Sequence, residues 1–193
     1  MGTTKLYKDW YEPKEGNKVL ELGAGFDYYK SDKNIEIIHL DRVKLEHTEI
    51  VWDLNKYPWP FENNTFDFVR VKTVIEHLND VKTAMEEIYR ILKPGGFVEI
   101  WAPHFASMGA HTDITHKKEG FGYYSFQYFE PEYAYNYYST ARFKCIKRAI
   151  VYPHYFELIE WIANKMPRLH EIWLHKFFPV RTVHFLLKCI KKE

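Results

Sequence analysis

The chain has 193 residues, 46% hydrophobic and 27% charged, with a formal net charge of +1. That length suits a single domain over residues 1–193, burying about 70% of the surface its unfolded form exposes. The near-zero charge gives no electrostatic reason to expect nucleic acid or an anionic membrane as the main partner. Cys145 and Cys189 are too few and too isolated for a disulfide framework. No window approaches about 18 uncharged apolar residues, and the N-terminus lacks the apolar core of a secretory signal. The expectation is a cytoplasmic protein with no integral membrane segment.

In chain order, residues 1–17 are read as an N-terminal lid or packing segment, with Trp10 and Tyr11 as its anchors. Lys18 to Leu22 is a short apolar run closed by glycine, which suits a buried strand. Ile35 to Leu40, Glu49 to Trp52 and Phe66 to Val71 are further strands, the first two ending at Asp41 and Asp53. NDVKTAMEEIYRILKPGG is the clearest helix. Asn79 or Asp80 caps it, Val81, Ala84, Met85, Ile88, Ile91 and Leu92 share one face, and Pro94-Gly95-Gly96 stops it. Strands from Phe97, over Phe143 to Val151 and over Arg181 to Ile190 follow, with a helical segment near YFELIEWIANKM. Alternating strands and crossovers predict an α/β, doubly wound, mostly parallel sheet.

Gly122 to Tyr138 holds nine aromatic residues. Two readings stand side by side: a helix and its flanks packed on the core, or an aromatic wall around a planar or sugar-like ligand.

The first strand runs into ELGAGFDYY, with Gly23 and Gly25 at its carboxyl end, where ligands bind in such sheets. A dinucleotide fingerprint needs a third glycine beside the pyrophosphate, and here that position is Tyr28, preceded by Asp27. The phosphate loop G-x-x-x-x-G-K-[ST] is absent too. What remains is a simple strand-to-helix turn or a nucleoside ligand with ribose and no phosphate. Asp41, 18 residues after Gly23 at the end of the second strand, favours the ligand, because a carboxylate there can accept both ribose hydroxyls.

From ELGAG (21–25) through HLD (39–41), WDLN (52–55), FDFV (66–69) and VIEHL (74–78) to ILKPGGFVEIWAPH (91–104), the chain resembles the class I S-adenosylmethionine-dependent methyltransferases. The resemblance implies a Rossmann-like seven-stranded sheet with an antiparallel last strand, which Arg181 to Ile190 can supply. It implies that Glu21, Gly23, Ala24 and Gly25 cradle the methionine part of S-adenosyl-L-methionine. Asp41 with Arg42 would hold the ribose, Asp53 with Leu54 would frame the adenine, and Thr73 would lie beside them. Asp27 departs from the glycine many members carry and puts the shape of that turn in question. The later stretches, 103–129, 160–171 and 178–181, look like a narrower subfamily whose members often sit among genes for surface polysaccharide or glycan assembly.

Methyl transfer is an in-line displacement that needs position more than a triad. Alignment alone reaches effective molarities of about 10⁵–10⁸ M, whereas a general base adds about 10²–10⁴. If an acceptor hydroxyl needs a base, His104 directly after the fifth strand is the first candidate, with Glu76 and His77 after the fourth. Residues 104–140 are read as an acceptor-site insertion, with His111, Asp113, His116, Tyr123 and Tyr124 as substrate contacts. Its imidazoles and carboxylate could suit a metal, but their spacing matches no zinc signature, so no metal is assigned and a polar lid is preferred. The expected partner is a small-molecule or glycan acceptor. The aromatic and basic end, with Leu158, Trp161 and WLHKFF, suggests a homodimer face or a membrane-surface contact. Competing functions are a non-catalytic cofactor-binding sensor or partner subunit, and an RNA or protein methyltransferase.

Overall fold

The computed structural model describes residues 8–178 and 180–191. Seven strands are assigned: β1 (Lys18–Leu22), β2 (Glu36–Asp41), β3 (Ile50–Val51), β4 (Phe66–Lys72), β5 (Leu92–Pro103), β6 (Phe143–Val151) and β7 (Thr182–Cys189). They form one sheet in the order β3-β2-β1-β4-β5-β7-β6. Strands β1 to β5 pair in parallel, and β7 lies antiparallel between β5 and β6. This is the Rossmann-like α/β sheet with an antiparallel last strand that the sequence predicts.

Helix α1 (Val81–Ile91) starts where Asp80 accepts a hydrogen bond from the Thr83 backbone N–H. Its buried stripe of Ala84, Met85, Ile88 and Ile91 packs into the core with Leu20, Leu22, Val69, Val71, Val98 and Ile100. Leu92, expected on the helix face, is instead the first residue of β5 and pairs with Phe66. The third strand shrinks from the expected 49–52 to two residues, Ile50 and Val51, which pair with Leu40 and Asp41.

The main departure lies in the crossovers. Among the described residues, 23–35, 42–49 and 52–65 contain no helix. The turn after β1 bends at Asp27, whose carboxylate is salt-bridged to Lys72, and no helix follows. The sheet face opposite α1 is covered instead by the start of the chain. Trp10 stacks on His184 with centroids 3.4 Å apart, and Tyr11 packs on Phe68 and Phe97. Packing on the sheet, and not a lid over its edge, is therefore what the described part of the N-terminal segment does; residues 1–7 lie outside the described residues.

Between β5 and β6 the chain first forms a loop with the short helix α2 (Met108–Thr112). Gly120 closes this loop onto the end of β5. It sits at φ +95°, and a Cβ there would lie 2.7 Å from the Phe105 backbone. The aromatic run then divides. Phe126 and Phe129 are buried in the core, whereas Tyr128, Tyr135, Tyr137 and Tyr138 are exposed. Helices α3 (Glu157–Lys165) and α4 (Pro167–Ile172) join β6 to β7 and leave Leu158, Trp161, Ile172 and Trp173 exposed. Among the described residues, no helix is long and apolar enough to cross a membrane.

Candidate active site at the carboxyl edge of the sheet

Five parallel strands deliver their carboxyl ends to one edge, and the local chemistry there follows from the main chain. Gly23 sits at φ +63° and donates its N–H to the Leu40 carbonyl at 2.7 Å. A Cβ on Gly23 would lie 2.3 Å from Val74 Cγ2, so β1 can approach the turn after β4 only through glycine. Gly25, at φ +52°, donates to Asp41 Oδ2 at 3.0 Å. The space a Cβ on Gly25 would fill is open, with only the Gly23 carbonyl oxygen at 3.9 Å.

Asp41 also accepts the Val43 N–H on Oδ1 at 2.9 Å. Each oxygen still has a lone pair free, which is what two ribose hydroxyls require. Phe26 and Val43 are exposed at the same rim and offer apolar surface. Arg42 is exposed there as well, Ala24 is buried in the turn, and Asp53 is half-buried with Oδ1 accepting the Asn55 N–H. Leu54 is buried in the core. An open backbone cradle beside a tethered carboxylate fits the adenosyl group of S-adenosyl-L-methionine.

Glu21 does not share this edge. It is 2% exposed, ion-paired to Arg70, and accepts the Tyr29 N–H at 2.6 Å. Its carboxylate faces the sheet surface under the N-terminal segment, where it holds Arg70 and the Tyr29 N–H.

Next to the cradle is a cavity of about 630 Å³. Thr73, Glu76 and His77 line it from the end of β4, Pro103 from β5, Ser107, Met108, Thr112, Asp113 and His116 from the loop, and Arg181 and Thr182 from the start of β7. The antiparallel course of β7 explains the last two, because it sets Thr182 beside Pro103. Thr73 is a non-glycine residue at φ +50°, held by its N–H to the Trp101 carbonyl at 2.9 Å. Such backbone costs about 1–3 kcal/mol and persists where the surroundings over-determine it, typically at functional sites.

Within the cavity wall, Glu76 is fully buried on a single 3-10 turn, Ile75–His77. Burial pushes its carboxyl up to about 7. Its backbone carbonyl accepts the N–H groups of Lys117 and Lys118 at 2.8 and 3.1 Å, tying the loop to the β4 end. Burial also lowers His77, whose Nδ1 lies 3.0 Å from the Thr115 hydroxyl.

His104, the first base candidate, does not line the cavity. It is fully buried, accepts the Ala106 N–H on Nδ1 at 3.0 Å, and is pushed down to about 3 by burial and then by His170 and His175. The turn after β5 folds the ring inward, away from the cavity lining. His111 is exposed, its Nε2 2.9 Å from the Phe105 carbonyl oxygen, and Tyr123 and Tyr124 lie under Arg148 at 4.8 and 5.2 Å; none of the three lines the cavity. Ser107, Thr115 and Arg181 were missed in the sequence. Arg181 carried a signal in FPVR, while Thr115 carried only its place two residues after Asp113.

A family described as "Methyltransferase domain" matches residues 16–100. Three curated relatives also match part of the chain. MJ0638 of Methanocaldococcus jannaschii is 39% identical over 94 residues, 45% of this chain and 40% of that protein. Phosphoethanolamine N-methyltransferase 3 of Arabidopsis thaliana is 31% identical over 119 residues, 52% of this chain and 24% of that protein. The ubiquinone/menaquinone biosynthesis C-methyltransferase UbiE of Cereibacter sphaeroides is 27% identical over 118 residues, 49% of this chain and 47% of that protein. The chain thus spans less than half the length of these relatives. Among solved structures, YcgJ of Bacillus subtilis aligns with a TM-score of 0.58 at 16% identity, covering 94% of this chain and 95% of that one. Phosphoethanolamine N-methyltransferase 2 of Haemonchus contortus, solved with S-adenosyl-L-methionine, gives 0.58 at 16% identity, covering 94% and 50%. At that identity these structures share the fold.

Proposed function

We propose that the chain is an S-adenosyl-L-methionine-dependent methyltransferase acting on a small-molecule or glycan-type acceptor. The observation that carries the reading is the pair of positive-φ glycines opening beside Asp41, with a polar cavity immediately next to them. The methyltransferase-domain match over residues 16–100 and the cofactor in a structural neighbour support it.

When bound, the cofactor supplies a methyl group already activated on a sulfonium. The protein's contribution is placement and charge. Gly25 lets the main chain approach, Asp41 grips the ribose hydroxyls, and Thr73 marks the boundary between cofactor and acceptor. Glu76, His77, Asp113 and His116 face the acceptor, with Pro103 and Met108 walling that space. Where the acceptor is a hydroxyl, Asp113, which lines the cavity, is the group placed to take its proton.

Titration calorimetry with S-adenosylhomocysteine tests the reading. The wild-type chain is expected to bind, and Asp41→Ala to bind about 10–100-fold more weakly, the worth of a charge-assisted hydrogen bond. No heat with wild type, or unchanged affinity in Asp41→Ala, overturns it. Tritiated-methyl transfer to sugar, nucleotide-sugar and phenol pools then separates an enzyme from a cofactor-binding sensor, which binds and never turns over.

A further inference from the structure

Three groups in the cavity wall come together although 40 positions separate the first from the last. Glu76, His77 and His116 each offer one ligand atom, and these atoms lie within 4.8 Å of one another. Glu76 is 1% exposed, and its Oε2 is buried with no hydrogen-bond partner. A buried acceptor left bare costs about 1–3 kcal/mol, and more when charged.

The hydrogen bonds fix how both imidazoles present themselves. The Thr115 hydroxyl gives its one proton to Asp113 Oδ1 at 2.7 Å, so it can only accept from His77 Nδ1 at 3.0 Å. His116 Nδ1 lies 3.3 Å from the Ala110 carbonyl, an oxygen that can only accept. In the neutral form each ring therefore carries its proton on Nδ1, which leaves Nε2 as the atom able to bind an ion. His116 Nε2 stands 4.0 Å from Glu76 Oε1 and 3.7 Å from Asp113 Oδ2. Those gaps are too long for hydrogen bonds. They are close to the separation of about 3.4 Å between neighbouring ligands of a tetrahedral ion bound at about 2.0–2.2 Å.

We propose that Glu76, His77 and His116 form a site for a divalent first-row transition ion of the zinc class, with its fourth position open to the cavity. Two imidazoles and one carboxylate are a ligand set that suits such an ion and leaves a place for a reactant. Thr115, with Asp113 behind it, orients His77, and the Ala110 carbonyl orients His116, as outer partners do at metal-bound histidines. The ion itself does not rest on the methyltransferase reading; only the occupant of its open position, an acceptor oxygen, does.

Chelator-stripped protein titrated with Zn²⁺ by calorimetry, and loaded with Co²⁺ for visible spectroscopy, tests the site. Wild type is expected to take one Zn²⁺ per chain and to give the visible bands of four-coordinate Co²⁺. His77→Gln and His116→Gln should each weaken binding more than tenfold, and Thr115→Val about 10–100-fold. S-adenosylhomocysteine binding should stay unchanged in Thr115→Val. Absence of stoichiometric uptake by wild type overturns the proposal, as does equal uptake by the double histidine variant. If a histidine variant fails to fold, the exposed Thr115→Val decides, and unchanged affinity there overturns the site. Wild type that binds Zn²⁺ but gives no heat with S-adenosylhomocysteine sinks the methyltransferase reading and leaves the ion site standing.

Discussion

The two faces of the sheet are built on opposite principles. On the α1 side, Leu22, Val71, Ile100 and Phe185 follow one another across β1, β4, β5 and β7 in a continuous apolar row. On the other side, one residue earlier in each parallel strand, His39, Glu21, Arg70 and Glu99 stand in register across β2, β1, β4 and β5. All four are buried. Arg70 pairs with Glu21 and with Asp9 at 2.9 Å, and His184 Nε2 meets Glu99 Oε1 at 2.7 Å, its ring stacked between Trp10 and Trp101. An apolar row asks its cover only for shape, so α1 and aromatics such as Phe126, whose ring lies 4.8 Å from that of Phe185, suffice. A charged row asks for partners, and ten residues of extended N-terminal chain can provide backbone N–H groups, a carboxylate and aromatic rings where a helix could not. The N–H groups of Trp10 and Tyr11 both donate to Glu99. The lesson is that this chain replaces crossover helices with a polar strap.

Three measurements can break or sharpen that contrast. The largest effect belongs to Arg70→Met, which strands the carboxylates of Glu21 and Asp9 and should cost about 3–5 kcal/mol in urea unfolding. Adding Glu21→Met should recover a large part; a cost below about 1 kcal/mol for the single variant would mean the row is not what secures this face. Glu99 comes next, as a pH effect. Burial raises its carboxyl to about 7 in the folded protein, above its unfolded value near 4.5. The folded state therefore binds the extra proton, and Glu99 contributes stability below about pH 4.5 that is lost as pH rises through 7. The deficit of Glu99→Gln relative to wild type should shrink by about 1.4 kcal/mol per pH unit across that window. A flat difference would show Glu99 ionised throughout. Smallest is Ile100→Val on the apolar face, expected to cost about 0.5–1.5 kcal/mol with no pH dependence.

Much of the fold was legible because it rests on local pattern. The strand runs, the Asp80 cap and the stripe from Ala84 to Ile91 are short-range features, and each yields an element of the expected kind, whereas Pro94-Gly95-Gly96 falls inside β5 and the helix already ends at Ile91. The meeting of Gly23, Gly25 and Asp41 was legible for a related reason: they lie at strand ends, and strand ends of a parallel sheet converge. The acceptor side was not. His104 sits where a base should be, yet the turn after β5 rotates it inward, and Asp113 and His116 reach the cavity only because Lys117 and Lys118 bond the Glu76 carbonyl. The charged residue in each strand is visible in the sequence, but nothing along the chain says that they fall in one row.

By itself, then, the order of residues determined the elements, the parallel sheet and the position of the glycine turn beside Asp41, since hydrophobic periodicity and glycine conformation act over a few neighbouring positions. Tertiary structure alone decided which titratable groups face the cavity, which lie neutral in the core, and which pair across strands. Register and burial set those outcomes, and both depend on partners dozens of residues away.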